Sequence, residues 1–325
     1  MPMSRRAAIG VLAGALGTAF ARPGTPALPV APLGKTGRVI PRLGLGCYPL
    51  GNLSNEDAAV GIIHQAMDAG VRYFDTAPSY ASGRSERRIG IALESWLKAH
   101  PEATRADFFI ATKTLQRDGD SAKRELEQSL RNLRADYVDA VQCHEVHADW
   151  ERLFGENAVV PAMEQARAER IVRFIGITGH RDPAHLIRAV RRYPPDDNGR
   201  GFVSALVPVN PIDVQHRSFV REFLPVAQEL GIAVIAMKVF GGGFLLAEKN
   251  QAGEPLCSAH ELLRYALAQP SVAVAVPGCD ASAHIDEAKA AAVAFTQPEA
   301  PWLQSLEARM PVHKGKSSEW YKDAE

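Results

Sequence analysis

Residues 71–86 read VRYFDTAPSYASGRSE, a short apolar run that ends in an aspartate and continues into a loop. The run Val71–Asp75 has the length and composition of a buried strand. The stretch Glu86–Ala99, which follows the loop, is amphipathic and long enough for a helix. A buried strand followed by a helix is the repeating unit of parallel α/β folds, so this segment predicts one such unit.

The same alternation extends along the chain in both directions. Eight apolar runs qualify as strands: Leu43–Cys47, Val71–Asp75, Phe108–Lys113, Val138–His144, Val172–Thr178, Phe202–Val209, Ala233–Val239 and Val272–Val276. Helical stretches between them include Asn55–Ala69, Glu86–Ala99, Ala122–Leu133 and Ala281–Ala294. Eight continuously apolar strands fit a closed barrel better than an open sheet, whose edge strands tend to be more polar. The predicted fold is therefore α/β, a single (β/α)8 TIM barrel.

The segment before the first barrel strand reads LGKTGRVI over residues 33–40 and predicts a hairpin with its turn near Lys35–Gly37. We expect this N-terminal hairpin to cap the bottom of the barrel and shield its core. A length of 325 residues suits one large barrel, and residues 33–325 are assigned to it together with a C-terminal tail.

Composition excludes several classes of function. Hydrophobic residues make up 46% and charged residues 23%, which is typical of a globular protein. The formal net charge is zero, so neither nucleic acid nor an anionic membrane surface is favoured as a partner. The cysteines form no CxxC pair, which argues against a zinc site or a redox pair. We expect most of them to be buried thiols, while the even count leaves two disulfides open; they are Cys47, Cys143, Cys257 and Cys279.

The first residues have the features of an export signal. Ser4-Arg5-Arg6 precedes an apolar run, Ala7–Phe20, and Ala19-Phe20-Ala21 has the pattern of a cleavage site. This pattern predicts a signal peptide over residues 1–21 rather than a spanning helix, followed by a proline-rich linker over residues 22–32. The paired arginines resemble a twin-arginine signal. We therefore expect a periplasmic or otherwise exported protein that uses the twin-arginine machinery and has no stable membrane insertion after cleavage. An ordinary secretory signal is the alternative.

Four polar side chains are expected to meet at one end of the barrel. Asp75, Lys113 and His144 end three consecutive strands, and Tyr80 lies in the loop after the first of these. Active sites of such barrels lie at the carboxyl ends of the strands. Convergence at one mouth favours a catalytic role over the alternative, a structural ion pair with two lining residues.

These four residue types suit the interconversion of a carbonyl and an alcohol. A phenol such as Tyr80 is a poor acid near neutral pH, and the ammonium of Lys113 would favour the phenolate. Asp75 would pair with Lys113 and compensate its buried charge. His144 would donate a hydrogen bond to the substrate oxygen and orient it.

The segment Phe74–Glu86 resembles the FDTAxxYGxGxSE signature of the aldo-keto reductase superfamily, with Ala81 in place of the usual glycine. The resemblance covers about residues 33–295. It implies hydride transfer with NADP(H) or NAD(H), and a catalytic tetrad of Asp75, Tyr80, Lys113 and His144 in which Tyr80 donates the proton. No GxGxxG motif follows any strand, so a Rossmann domain is not indicated.

The resemblance also implies a set of cofactor contacts. They are Gly46 and Cys47 at the first strand; Thr178, Gly179, Asn210 and Met237 near the nicotinamide; Lys238 and Gly242 at the pyrophosphate; and Gly278 and His284 at the adenosine 2′-phosphate. The family often has Lys and Arg at the last two positions, so the preference between NADP and NAD stays open. The glycines at 241–243 fit a flexible loop equally well.

Other residues bear on the substrate and on metals. Tyr48 and Trp150 are predicted to line the substrate pocket, and a tail containing Trp302, Trp320 and Tyr321 would fold over the mouth, although Trp302 could equally be a packing residue. The sequence His144-Glu145-Val146-His147 lacks the HExxH spacing, and Lys113 would repel a divalent ion, so no metal site is predicted. An alternative function is a non-catalytic, cofactor-binding sensor or binding module on the same barrel.

Overall fold

The computed structural model describes residues 27–312 and 316–322, so the expected signal peptide lies outside the described residues. The chain opens with an antiparallel hairpin of β1 (Val30–Pro32) and β2 (Val39–Pro41). Its first strand lies within the segment expected to be a linker, because pairing with β2 orders these residues despite their prolines.

Eight further strands form a parallel sheet in which each strand pairs with the next along the chain. They are β3 (Leu45–Gly46), β4 (Tyr73–Asp75), β5 (Phe109–Thr114), β6 (Val138–Cys143), β7 (Val172–Thr178), β8 (Phe202–Pro208), β9 (Ala233–Met237) and β10 (Val272–Ala275). Parallel bridges from Leu43 to Ala275 and from Gly46 to Gly278 join the last strand to the first. The sheet thus closes, and the predicted (β/α)8 barrel is confirmed.

The hairpin covers the amino-terminal end of this barrel. Leu33 and Ile40 are buried and pack with interior side chains such as Tyr73 and Phe109. At Gly34, with φ of +52°, an added Cβ would lie 2.9 Å from a backbone oxygen that precedes β9. The predicted bottom cap is therefore present, and it fills the interior from below.

Helices surround the barrel, and most connections between consecutive strands contain at least one. They are α1 (Tyr48–Asn52), α2 (Glu56–Asp68), α3 (Arg84–Ala99), α4 (Gly119–Leu133), α5 (Val159–Ala168), α6 (Pro183–Arg192), α7 (Leu224–Leu230), α8 (Phe244–Ala247), α9 (Ala259–Ala268), α10 (Ser282–Val293), α11 (Ala300–Ala308) and α12 (Lys316–Glu319). Side-chain caps set several starts: Asn55 accepts from the backbone of α2 and Asp118 from that of α4.

Apolar residues form two cores, one inside the barrel and a larger one between the barrel and its helices. The four cysteines are buried and unpaired, as expected. Over the part of the chain that the structure describes, no helix is both long and apolar enough to cross a bilayer.

Candidate active site

The carboxyl ends of β4 and β5 bring Asp75 and Lys113 into direct contact. The Lys113 ammonium donates to Asp75 Oδ1 at 2.5 Å and to the carbonyl oxygen of Thr76 at 2.7 Å. Both side chains are buried. Burial acts to lower the pKa of Lys113, but Asp75 and Tyr80 oppose it and the net shift is upward. The ammonium therefore stays charged inside the barrel.

A residue that the sequence reasoning missed, Gln142, completes the support of this ion pair. It lies on β6 opposite Lys113, and its Nε2 donates to Asp75 Oδ2 at 2.8 Å. Both oxygens of Asp75 are thus held, which fixes the carboxylate towards Lys113. The sequence contained an indication of this role, because Gln142 is a polar residue at an otherwise apolar strand end.

Tyr80 lies against this ion pair. The Lys113 ammonium is 4.5 Å from the centre of the Tyr80 ring. Burial raises the pKa of Tyr80 above its usual value of 10, while Lys113 opposes that shift. The expectation that Lys113 would favour the phenolate is thus outweighed by burial, and Tyr80 is a protonated phenol at neutral pH.

The loop that carries Tyr80 has unusual backbone geometry. Ala81, Ser82 and Gly83 are consecutive residues with φ values of +52°, +54° and +81°. This left-handed region suits glycine, so Ala81 is strained where the signature has glycine. The strained turn ends directly before α3 begins at Arg84.

His144 follows β6 and faces Tyr80. The two ring centres are 6.3 Å apart with the planes at 82°. Burial, with the charge of Lys113 adding to it, lowers the pKa of His144 to about 3. Its Nδ1 is buried without a hydrogen-bond partner among the described residues. His144 is therefore a neutral imidazole, and its Nδ1 is a buried polar atom whose hydrogen-bonding capacity is unused in the described structure.

Tyr48, one of the two residues predicted to line the substrate pocket, lies beside Tyr80 of the tetrad. Its ring is 58% exposed and meets the Tyr80 ring edge-on, with centres 5.1 Å apart. Trp150 instead has its ring against Phe154, at 6.5 Å, in the layer between barrel and helices. The short helical turn that contains Trp150 packs on α6.

The expected nicotinamide contacts divide into two groups. Thr178 ends β7, and its hydroxyl is buried without a hydrogen-bond partner in the described structure. Met237 ends β9, half-buried against the interior core. A hydroxyl without a partner and a polarisable side chain, at the same end of two strands separated only by β8, are groups that suit a carboxamide-bearing ring.

Asn210 and Gly179 form the other group, and both already make close contacts within the protein. The Asn210 amide donates to the Lys238 carbonyl at 2.9 Å and to Tyr321 Oη at 3.2 Å, and its oxygen accepts two backbone N–H groups. At Gly179 an added Cβ would lie 2.4 Å from Leu186. The Asn210 side chain therefore positions the loops after β8 and β9, and the absence of a side chain at Gly179 leaves room for Leu186. Their contact with a cofactor stays a prediction.

The expected pyrophosphate contacts lie under the C-terminal segment. The Lys238 ammonium is 4.6 Å from the Trp320 ring and 5.3 Å from the Tyr321 ring. At Gly242, with φ of +69°, an added Cβ would lie 3.2 Å from the Trp320 indole nitrogen. The predicted cover by Trp320 and Tyr321 thus lies over Lys238 and Gly242.

The remaining expected contacts line the seam between β3 and β10. The Gly46 amide donates to the Pro277 carbonyl at 3.0 Å, and Cys47 is buried directly after it. Gly278 is paired with Gly46. His284 is exposed and lies 2.9 Å from the carboxylate of Asp280. A carboxylate at this position disfavours a phosphate ligand.

Glu145, the acidic residue of the possible metal motif, is engaged by cations. It contacts His180 and bonds to Arg181 at 2.6 Å. Burial acts to raise the pKa of Glu145, but these contacts dominate and hold it at about 2. Within residues 27–312 and 316–322, no cluster of three or more His, Cys, Asp or Glu side chains could hold a metal ion.

A closed barrel with a buried lysine–carboxylate pair beside a protonated tyrosine and a neutral histidine defines an acid–base enzyme of the barrel oxidoreductase class. The chain belongs to the Aldo/keto reductase family, whose model matches residues 42–262.

Individual relatives agree with this assignment. L-galactose dehydrogenase of Arabidopsis thaliana is 29% identical over 224 residues, 66% of each protein. D-threo-aldose 1-dehydrogenase of a Pseudomonas species is 30% identical over 236 residues, 64% of this chain and 68% of that protein. An aldo-keto reductase from Bacillus halodurans, solved in its holo form, has a TM-score of 0.71 at 23% identity and covers 90% of this chain and 99% of its own.

Proposed function

We propose that the protein is an NAD(P)-dependent oxidoreductase that interconverts a small aldehyde, ketone or sugar and its alcohol, with Tyr80 as general acid and base. The observation that carries the proposal is the position of the buried Lys113 ammonium, which contacts Asp75 at 2.5 Å and the Tyr80 ring at 4.5 Å. A structural ion pair would need neither a tyrosine over it nor a neutral histidine opposite.

Each residue has a defined part in carbonyl reduction. The nicotinamide, when bound, supplies the hydride. Tyr80 gives its proton to the substrate oxygen as negative charge develops there, and Lys113 stabilises the phenolate that remains. His144, neutral because burial lowers its pKa to about 3, donates a hydrogen bond to the same oxygen. Asp75 and Gln142 hold Lys113 in place.

The residues at the mouth fit a nicotinamide cofactor. The orphaned Thr178 hydroxyl would hold the carboxamide, and Met237 would lie against the ring. A solved aldo-keto reductase from Klebsiella pneumoniae contains NADPH; it has a TM-score of 0.68 at 21% identity and covers 88% of this chain and 96% of its own. Lys238 provides a cation for the cofactor phosphates.

For the substrate, we propose a sugar or another small polar carbonyl compound. Two relatives are named for sugars, L-galactose and D-threo-aldoses. The half-exposed ring of Tyr48 beside Tyr80 offers an apolar face on which a sugar ring would stack.

We further propose export by the twin-arginine route to the periplasm. The support is the sequence Ser4-Arg5-Arg6 before an apolar run and a cleavage pattern. Free nicotinamide cofactors are scarce outside the cytoplasm, so the exported enzyme would carry its cofactor with it, already bound. Replacing Arg5 and Arg6 together by lysine should retain the protein in the cytoplasm; unchanged export would indicate an ordinary secretory signal.

The function is tested by titrating the purified mature protein with NADPH and NADH while following cofactor fluorescence, and by assaying a panel of aldoses and aldehydes. Binding together with turnover that Tyr80→Phe abolishes supports the oxidoreductase. Cofactor binding without any turnover, unchanged in Tyr80→Phe, would favour the alternative sensor. Absence of binding would overturn the proposal.

A further inference from the structure

The loop after β5 contains a nearly buried arginine, Arg117, whose side chain is 8% exposed. Its guanidinium donates to the carbonyl oxygens of His144 at 2.8 Å, Glu145 at 3.0 Å and Leu115 at 3.1 Å, and to Asp149 Oδ2 at 2.7 Å. Four hydrogen bonds from one side chain therefore join the loop after β5 to the loop after β6, directly beside the histidine of the tetrad.

Arg117 is itself held in place from two sides. Its carbonyl oxygen accepts from the Val159 N–H, at 3.0 Å, where α5 begins. On the other side, the Asp149 carboxylate binds the guanidinium. Burial acts to raise the pKa of Asp149, but the hydrogen bond from Arg117 outweighs it and the pKa is lowered, so the carboxylate stays charged. Arg117 is thus a fixed donor and not a mobile surface side chain.

The imidazole of His144 gains little orientation from hydrogen bonds of its own. Its Nδ1 has no partner among the described residues. The ring meets that of Tyr80 edge-on, with the centres 6.3 Å apart, in a contact without a donor and an acceptor. In the proposed reaction this imidazole must aim one N–H at the substrate oxygen. Its direction therefore depends on the backbone, because the backbone conformation determines which side-chain rotamers are open to the ring.

The backbone around His144 is held by both neighbouring loops. The His144 N–H donates to the carbonyl oxygen of Thr114, at 2.8 Å, at the end of β5. The Val146 N–H donates to the carbonyl oxygen of Thr178, at 2.7 Å, at the end of β7. Between these two bonds, the carbonyl oxygens of His144 and of the next residue both accept from Arg117. Arg117 therefore fixes the peptide plane that follows the histidine.

A guanidinium suits this task better than an ammonium. Its donors lie in one plane and point in fixed directions, so that a single group reaches three carbonyl oxygens and a carboxylate at distances of 2.7 to 3.1 Å. A lysine is a compact point charge on a flexible stem and would reach only part of this set. The contacts of Arg117 thus use the shape of the guanidinium as well as its charge.

We propose that Arg117 is a positioning residue for carbonyl reduction, which holds the peptide between His144 and Glu145 so that the imidazole faces Tyr80 across the substrate oxygen. This inference rests on the proposed function. Arg117 takes no part in the proton transfer and acts through His144 alone, and Asp149 in turn orients Arg117. Loss of Arg117 leaves the proton donor in place but lets the imidazole turn away from the oxygen that it must bind.

The experiment compares carbonyl reduction by the purified parent protein and by Arg117→Met, at saturating cofactor. Arg117→Met should lower kcat by about 10²-fold, the cost of a small misplacement of a catalytic group, and should leave the cofactor Kd unchanged. The same change made in a His144→Gln protein should cost at most about twofold, because the group through which Arg117 acts is already gone. A purely structural role would lower kcat equally in both backgrounds.

The matched control is Arg105→Met. Arg105 precedes β5, at the opposite end of the barrel, and it likewise donates to two carbonyl oxygens, those of Phe108 at 2.8 Å and Tyr137 at 3.2 Å. It also pairs with Asp139 at 2.9 Å. Urea unfolding should show that both substitutions lower the stability of the protein, whereas Arg105→Met should keep the parental kcat.

A second readout needs neither substrate nor cofactor. Hydrogen exchange of the free protein, followed by mass spectrometry, should be faster over residues 144–149 in Arg117→Met and unchanged there in Arg105→Met. If Arg117→Met does not fold, Asp149→Asn provides the same test, because it keeps the shape of the side chain and removes the charge that orients Arg117. Asp149→Asn should lower kcat by a smaller factor and should again have little effect in the His144→Gln background.

The outcomes separate this inference from the proposed function. Parent protein that binds no cofactor or reduces no carbonyl compound overturns the function and this inference with it. Parent protein that turns over, with Arg117→Met at the parental kcat, overturns the inference alone. Equal losses of kcat in the parent and in the His144→Gln background would show that Arg117 only stabilises the fold, and would also overturn it. A loss confined to the parent background, together with faster exchange over residues 144–149, supports it.

Discussion

The Lys113 ammonium lies 4.5 Å from the centre of the Tyr80 ring, while the same ammonium contacts Asp75. The Tyr80 hydroxyl is therefore largely removed from water but has a positive charge beside it. Burial keeps the phenol protonated, and the nearby charge stabilises the phenolate once its proton has left. Tyr80 therefore stays protonated until it reacts, and the Lys113 ammonium stabilises the phenolate that forms when the proton is transferred.

Tyr80→Phe should lower kcat for carbonyl reduction by about 10²- to 10⁴-fold, because it removes the general acid and keeps the ring that packs on Tyr48 and His144. Steady-state kinetics and cofactor titration together check this, since cofactor affinity should be unchanged. Tyr48→Phe is the control and should keep most of the activity. A Tyr80→Phe enzyme with parental kcat would exclude Tyr80 as the proton donor.

Gln142→Leu should lower both stability and kcat, because Asp75 Oδ2 loses its amide donor and Lys113 is less well oriented. Loss of a hydrogen bond to a charged group corresponds to about 1.5–3 kcal/mol, measurable by urea unfolding. The control is Gln269→Leu, the same change at the end of α9 on the opposite end of the barrel. Gln269→Leu should keep the parental kcat. If Gln142→Leu kept it as well, Gln142 would have only a packing role.

The pH dependence of reduction should lack a histidine inflection between pH 5 and 8. His144 has a pKa of about 3, so it is already neutral across this range. Reduction needs protonated Tyr80, and because burial raises the pKa of Tyr80 above 10, the rate should hold until pH exceeds that value. Profiles of kcat/KM over pH 5–10.5 test both points, and a break near pH 6.5 would mean that His144 titrates as if exposed.

Asp280→Asn should strengthen NADPH binding relative to NADH. Asp280 is paired with His284, at the position where the resemblance locates the 2′-phosphate, and its negative charge opposes that group. Because both residues are exposed, the gain should be a few-fold, corresponding to roughly 0.2–1 kcal/mol, and should shrink at high salt. Fluorescence titrations at two ionic strengths measure it. Glu299→Gln, an exposed charge change at the start of α11, should leave the ratio of the two affinities unchanged.

Ala81→Gly should stabilise the protein by about 1 kcal/mol, because Ala81 has φ of +52°, a conformation that costs residues with a Cβ about 1–2 kcal/mol. Chemical unfolding measures the change. The opposite sign is expected for Ala283→Gly, an exposed position inside α10, where glycine is unfavourable by roughly 0.5–1 kcal/mol. Destabilisation by Ala81→Gly would show that the loop does not carry this strain.

Most of the barrel was predictable from the sequence because every strand is a continuous apolar run. The prediction for β7, Val172–Thr178, is correct to the residue. The first barrel strand is shorter than the predicted Leu43–Cys47, since regular pairing is limited to Leu45–Gly46 and single bridges complete the contact with β10. Such a boundary depends on the neighbouring strand, which local composition does not encode.

The convergence of Asp75, Lys113 and His144 with Tyr80 was predictable because the first three lie at or directly after the carboxyl ends of strands, and strand ends converge in a barrel. The packing of Trp150 against Phe154 was not predictable, because it depends on how the loop after β6 folds. The anchoring of Lys322 was equally hidden, since its partner Asp213 lies 109 residues earlier in the chain. Contacts of that span depend on the finished fold and leave no local pattern in the sequence.

The seam between β3 and β10 has a consequence for ligand binding. Few backbone bonds cross it, among them Gly44 to Ala275, Ala275 to Arg42 and Gly46 to Pro277. Residues expected to touch the cofactor, Gly46 and Gly278, lie on its two sides. A ligand that contacts both glycines would link the two sides of this seam. Amide hydrogens along this line should therefore exchange with solvent more slowly once the cofactor is bound, whereas those at the β6–β7 pairing should change little.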